Sequence, residues 1–434
     1  MSTPAGRVTA FRALLAHVRE AYGIDFGFVL WDGSTVPGDL AAGELAVAIA
    51  DEGVIGAMLR RPKIDTVVDL WATARIDIRN GSVLDVLRRG PTVKGRDFRK
   101  RLDRWLAVRA LSKFLFVPAG GPWPLREGLH GSTAPSGGSE SENKQNIQFH
   151  YDLSNAFYAL FLDPEMVYSC AYFTEWTNDI ATAQRDKLDI TCRKLRLQPG
   201  ERLLDVGCGW GALVCHAAQH YGVHAHGVTL AQEQFDFAKA KIARLGLQDR
   251  VTLELRDYST LDGVYDKIVS VGMFEHVGIA NHATYFATIN RLLKPRGLYL
   301  HHAIVRRAKR SDKDLRKRSR EYQALIKYIF PGAEVDHIGM TLANMERHAL
   351  EPRDVEGWRE HYHHTCKAWH QRLLANKDAA EREVGSVRTR VWLAYLAGCA
   401  YGFEGLSMGI YQTLAVKRER GASGLPPTRA DLYR

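Results

Sequence analysis

One short string constrains this chain more than any other: Asp205-Val206-Gly207-Cys208-Gly209-Trp210-Gly211. It follows a short apolar run, Arg202 to Val206, and opens a helical pattern from Ala212 to Tyr221. Glycine at alternate positions lets the backbone turn tightly and approach a ligand, while a helix N-terminus offers oriented N–H groups. The alternation continues with strands at His224 to Val228, Val251 to Leu255, Tyr265 to Val271 and Leu298 to His302, and a helix at Gln232 to Leu245. This rhythm predicts an α/β fold with a mainly parallel sheet wrapped by helices. Beyond Ile304 the pattern reads as helical, which predicts an α-rich cap over the substrate.

The chain has 434 residues, and single cores stop growing at about 250–300, so two folding units are expected. From Pro118 to Glu142, 14 of 25 residues are Gly, Pro or Ser, which marks 118–142 as a linker. It separates a small unit, 1–117, from a large one, 143–434. In the small unit Thr9 to Tyr22 has helical periodicity, and Phe26 to Trp31 and Leu45 to Ile49 read as strands. Asp32-Gly33 signals a hairpin. Asp65 to Val83 reads as more helix than strand, and a basic helix runs from Arg96 to about Phe116. No cluster of catalytic type occurs in this unit.

A net charge of +10 favours anionic partners, either nucleic acid or anionic lipid. The longest nearly unbroken apolar run, the 13 residues Val391 to Phe403, is too short for a membrane span of ~20. No signal-peptide pattern opens the chain. The 6 cysteines never form Cys-x-x-Cys, so neither a zinc site nor a disulfide scaffold is expected, and a cytoplasmic protein with free thiols is.

With Ala212 the glycine string also satisfies the dinucleotide pattern. A nicotinamide site, however, wants an acidic residue about 20 positions on, and Gly227-Val228-Thr229 stands there. Asp205, just before the first glycine, suits instead a methionine-derived sulfonium cofactor, whose amine and sulfur are positive.

Six separated blocks then agree with one family. Asn146 to Asn155, Phe161 to Pro164 with Tyr168 to Tyr172, the glycine loop, Gly227 to Leu230 with Gln234, Phe274 to Gly278, and Leu293 to Gly297 resemble the cyclopropane-fatty-acyl-phospholipid synthases, including the mycolic acid cyclopropane synthases. The resemblance runs from about residue 143 to 418. It implies a Rossmann-like class I methyltransferase sheet with a helical cap. Residues 1–117 resemble, less sharply, the α+β lipid-carrier-like extension of many bacterial members. It further implies that Tyr168, Ser169, Asp205, Gly207, Gly209, Thr229 and Gln234 hold S-adenosylmethionine, with Asp257 and Tyr258 near the adenine. Bicarbonate, a second cofactor of the family, would be held by Cys170, Glu275, His302, Tyr362 and the backbone of Ile304. The family's active-site cysteine matches Cys399. Glu275, His302, Tyr362 and Cys399 are thus the expected catalytic set.

Each position also has a plainer reading. Glu275-His276 alone could be a solvated loop, and Cys399 on an apolar helix a packing thiol. Cys208 and Cys215 read as packing residues, and His301 as a core histidine. The chemistry nevertheless fits the set. An alkene cannot be activated by deprotonation, so a strong methyl electrophile must be pressed against it in a dry pocket. Ring closure then needs a small base beside the cation, and Tyr172 or Phe173 could face its charge.

Two basic stretches suggest how lipid is reached: Arg306 to Arg320, with nine Lys/Arg and two Asp, and Arg96 to Lys113, with Trp105 interleaved. Each cation near an anionic membrane contributes ~1 kcal/mol. No nucleic-acid module is visible. The expected activity is cyclopropanation of cis double bonds in phospholipid acyl chains, at the inner face of the membrane, with a homodimer possible. The alternatives are a methyl- or methylene-branching fatty-acyl methyltransferase, a small-molecule methyltransferase, and a non-catalytic lipid-binding protein.

Overall fold

The computed structural model describes residues 3–92, 96–121, 153–315, 317, 323, 328–329 and 333–433. Most of the 118–142 stretch, residues 146–152 of the first family block, and Arg316, Arg318 and Arg320 of the basic stretch Arg306 to Arg320 lie outside the described residues. The chain divides into two compact units, one of residues 1–130, 320–324 and 377–401, the other of 131–319, 325–376 and 402–434.

The first unit opens with helix Pro4–Tyr22, which buries Val8, Phe11, Leu14 and Leu15 and ends on left-handed Gly23. Four strands follow: β1 (Gly27–Val29), β2 (Thr35–Val36), β3 (Ala46–Ile49) and β4 (Ile76–Arg79), in the order β2-β1-β3-β4. β1 and β2 form the expected hairpin, and β1 pairs with β3 in parallel. The stretch expected to be mainly helical, Asp65 to Val83, contains β4, because Ile76 to Arg79 pairs along β3. The single basic helix is also broken, into Arg96–Arg101, Arg104–Leu111 and a short 3-10 turn, since Asp103 caps the second piece by accepting from Leu106 N–H at 3.0 Å. Within this unit Arg390 is buried beneath Trp71, its guanidinium 3.8 Å from the ring centroid, and donates to the Trp71 carbonyl at 2.6 Å and the Asp77 carboxylate at 2.9 Å.

The second unit is built on seven strands: β5 (Arg202–Val206), β6 (His224–Thr229), β7 (Val251–Leu255), β8 (Tyr265–Val271), β9 (Leu293–Arg306), β10 (Leu350–Gly357) and β11 (Met408–Lys417). Their order is β10-β11-β9-β8-β5-β6-β7. β9, β8, β5, β6 and β7 are parallel, and β11 and β10 extend the sheet antiparallel. Successive residues enter opposite cores: Leu203, Val269 and Leu300 on one face, Leu204, Ile268 and Tyr299 on the other. The α/β class holds. The region beyond Ile304 is not purely helical, because β10 and β11 complete the sheet. β10 carries Pro352 beside a register irregularity on the outermost strand, where proline is tolerated.

Candidate active site

The glycine loop turns as its spacing predicts. Gly207, Gly209 and Gly211 all have positive φ (85°, 54° and 78°), and Gly207 and Cys208 both donate to the Val228 carbonyl, which ties the loop to β6. Helix Ala212–Tyr221 starts immediately after it. A side chain at Gly207 would meet Met273 Cβ at 2.9 Å, whereas the space above Gly209 is open. That opening belongs to a pocket at the strand ends, whose lining includes all nine expected cofactor residues: Tyr168, Ser169, Asp205, Gly207, Gly209, Thr229, Gln234, Asp257 and Tyr258.

Their interactions divide the work. Thr229 donates to Gln234 Oε1 at 3.0 Å and accepts from Ala231 N–H at 3.2 Å, so its hydroxyl orients the glutamine amide. Asp257 accepts from Ser259 N–H at 2.8 Å, which fixes its carboxylate at the pocket wall. Burial pushes the Asp205 carboxyl up to about 7, opposed by the Lys187 cation. Lys187, absent from the expected set, lines the pocket and donates to Ser169 Oγ at 2.9 Å; its own burial brings it down to about 8. A glycine cradle with open space over it, buried carboxyls and a glutamine amide fit the amine, sulfonium and adenosine parts of S-adenosylmethionine.

The pocket wall runs directly into the expected anion cluster, because Ser169 precedes Cys170 and Glu275 precedes pocket-lining His276. Glu275 sits in the 3-10 turn Phe274–His276 after β8. Its Oε1 accepts from Ile304 N–H at 2.7 Å, while Oε2 is buried with no hydrogen-bond partner among the described residues. Burial pushes this carboxyl up to about 7, only partly opposed by the Ile304 bond. His302 and Ile304 are two apart on β9 and so share a face. His302 Nδ1 faces Gln412 Nε2 at 3.0 Å, and Nε2 is buried without a hydrogen-bond partner among the described residues. Burial, and then the Lys187 and Lys194 cations, hold the imidazole well below its usual range, hence neutral.

Trp358, which the sequence reading passed over, joins the remaining members. Its ring lies 5.0 Å from that of His302 and 4.9 Å from that of Tyr172. Its carbonyl faces the Cys170 thiol at 3.9 Å and accepts from Tyr362 N–H at 3.0 Å. The Tyr362 ring packs on Phe403 at 4.6 Å. Cys399 is half-buried in the first unit on helix Ser386–Glu404, its thiol pushed up to about 12 by burial. Lys187 and Lys194 left one trace in the sequence, since both interrupt the buried stripe of helix Ile180–Lys194.

A family model described as mycolic acid cyclopropane synthetase matches residues 139–413. A probable fatty acid methyltransferase of Pseudomonas putida is 44% identical over 292 residues, which cover 66% of this chain and 73% of that protein. The cyclopropane-fatty-acyl-phospholipid synthase of Escherichia coli K12 is 37% identical over 268 residues, 61% of this chain and 66% of that one. Among solved structures, mycolic acid cyclopropane synthase CmaA1 complexed with SAH and CTAB superposes with a TM-score of 0.59 at 33% identity, covering 63% of this chain and 98% of that one. With the glycine cradle, the pocket and the parallel sheet in hand, these matches establish that the chain belongs to the mycolic acid cyclopropane synthetase family of S-adenosylmethionine-dependent methyltransferases.

Proposed function

We propose that this enzyme converts cis double bonds of unsaturated phospholipid acyl chains to cyclopropanes, with bicarbonate as the proton acceptor. The observation that carries the reading is a pair of buried polar atoms without a hydrogen-bond partner among the described residues, Glu275 Oε2 and His302 Nε2, on segments that adjoin the cofactor pocket. An acceptor and a donor of this kind match a bicarbonate ion, which carries one hydroxyl and two bare oxygens. S-adenosylmethionine, when bound, supplies an electrophilic methyl group, and bicarbonate, when bound, supplies the base.

The chain's own residues do the rest. Gly207 and Gly209 admit the cofactor, and Asp205 faces its positive charge. Tyr172, stacked on His361 and tilted against Trp358, presents an aromatic wall that suits a cationic acyl chain. Glu275 would accept from the bicarbonate hydroxyl and His302 would donate to the anion, with Tyr362 and Cys170 completing the set.

Membrane docking at the inner face is proposed from the surface. Trp105 and Phe116 are 84% and 91% exposed, beside Arg104, Arg109 and Lys113 on the same short segment. Among the described residues no helix is long and apolar enough to cross a membrane.

The test is mass spectrometry and NMR of acyl chains from unsaturated phospholipid vesicles incubated with enzyme and S-adenosylmethionine. A gain of one CH2 with cyclopropyl protons is expected, and unchanged chains would refute the reading. Methyl or methylene branching from the same cation is the second reading, favoured by the name of the Pseudomonas putida relative. Olefinic or methyl-branch signals in the product would select it.

A further inference from the structure

Three neighbouring strands set one row of side chains behind the anion cluster. Glu356 on β10 stands opposite Gln412 on β11, and Gln412 stands opposite His302 on β9. Residues directly opposite in an antiparallel ladder project from the same face, so register alone lines up carboxylate, amide and imidazole. Helix Ile180–Lys194 adds Thr191 and Lys194 to this row. Lys194 Nζ contacts the Glu356 carboxylate and lies 2.7 Å from Gln412 Oε1. Gln412 Nε2 lies 3.0 Å from His302 Nδ1 and 3.4 Å from Thr191 Oγ1. Thr191 sends its own hydrogen to the Lys187 carbonyl at 2.7 Å.

Donor counting assigns every atom. An ammonium only donates, so the end of the Gln412 amide that it touches is the oxygen, and the other end is the NH2. The Thr191 hydrogen is committed elsewhere, so its oxygen receives from that same NH2, and the two pins agree. His302 Nδ1 must then accept. In a neutral imidazole this leaves the proton on Nε2, the atom that is buried without a hydrogen-bond partner among the described residues.

We infer that Gln412, oriented by Lys194 and Thr191, is a positioning residue that locks His302 in its Nε2–H tautomer and so aims one fixed donor at the anion subsite. The anion itself rests on the function proposed above. A donor set in place beforehand needs no reorganisation when charge arrives. In the other tautomer a lone pair would face the anion's oxygens. Glu356 balances the buried Lys194 charge, which keeps the pin in place.

The experiment is imidazole 15N NMR on full-length enzyme labelled at histidine, in carbonate-depleted buffer, with His302→Asn to assign the resonance. The wild type should show Nε2 protonated and Nδ1 bare. Gln412→Glu offers a carboxylate to both Lys194 and His302, so the proton should move to Nδ1. Turnover should then fall on the order of 10²–10³-fold, and stimulation by added bicarbonate should disappear while S-adenosylmethionine affinity holds. A wild-type His302 protonated on Nδ1 overturns the inference with no variant needed. So does a Gln412→Glu enzyme that keeps the Nε2–H tautomer and its bicarbonate response. An Nε2–H spectrum in an enzyme indifferent to bicarbonate would uphold the tautomer and sink the anion reading instead.

Discussion

Replacing Glu275 with Gln should make the protein inactive and, at alkaline pH, more stable. The carboxyl is buried, and the bond it accepts from Ile304 N–H at 2.7 Å is available equally to a glutamine oxygen. What the substitution removes is a charge that burial disfavours. A rise from 4.5 to about 7 corresponds to about 3 kcal/mol of penalty on the ionised form. The folded state holds this proton more tightly than the unfolded chain does. The stabilisation is therefore complete below pH 4.5, is lost as pH rises through about 7, and is gone above it. Glu275→Gln has no such loss. In carbonate-depleted buffer its unfolding midpoint should match wild type near pH 4.5 and exceed it at pH 8, by up to that about 3 kcal/mol. The same variant turns the free end of the acceptor into a donor, so turnover on unsaturated vesicles should fall about 10²–10⁴-fold, as for a lost general base. Added bicarbonate should stabilise and stimulate wild type but not the variant. Parallel midpoint curves across pH 4.5–8, or wild-type turnover with normal cyclopropane product, would refute the reasoning.

Three further outcomes follow from other parts of the molecule. Gly209→Val places a branched side chain in the open space of the pocket at a φ of 54°, so calorimetric binding of S-adenosylmethionine should vanish while circular dichroism stays native. Binding by wild type should strengthen as pH rises through about 7, where Asp205 gains its charge, and Asp205→Asn should flatten that dependence; equal slopes in the two proteins would remove Asp205 from the amine site. Trp105→Ala with Phe116→Ala should reduce co-sedimentation with anionic vesicles, and salt should reduce it further because exposed charges are screened over ~8–10 Å. Unchanged sedimentation would make that segment a solvated face.

Local sequence settled whatever depends on neighbours in the chain. β5, β7, β8 and helix Ala212–Tyr221 begin and end where periodicity and glycine placed them, because a strand between turns and a helix after a glycine cradle are short-range events. The glycine loop was legible for the same reason, whereas Tyr168 and Ser169, in the coil before helix Ile180–Lys194, came from the family resemblance. Tertiary structure decided the rest. β10 carries a proline and charged residues, and β11 is buried along most of its length, so neither shows the alternation of a half-buried strand. Only the pairing of β11 with β9, and of β10 with β11, makes them strands. Lys187 and Lys194 interrupt the apolar pattern of their helix, and only helix packing buries them against carboxyls and an amide. Gln412 is an unremarkable polar residue in sequence, and Trp358 one aromatic among many. What puts them beside His302 is cross-strand register and the burial of Trp358 between segments distant in sequence. Period and composition report which face of an element is covered; only the assembled sheet determines what covers it.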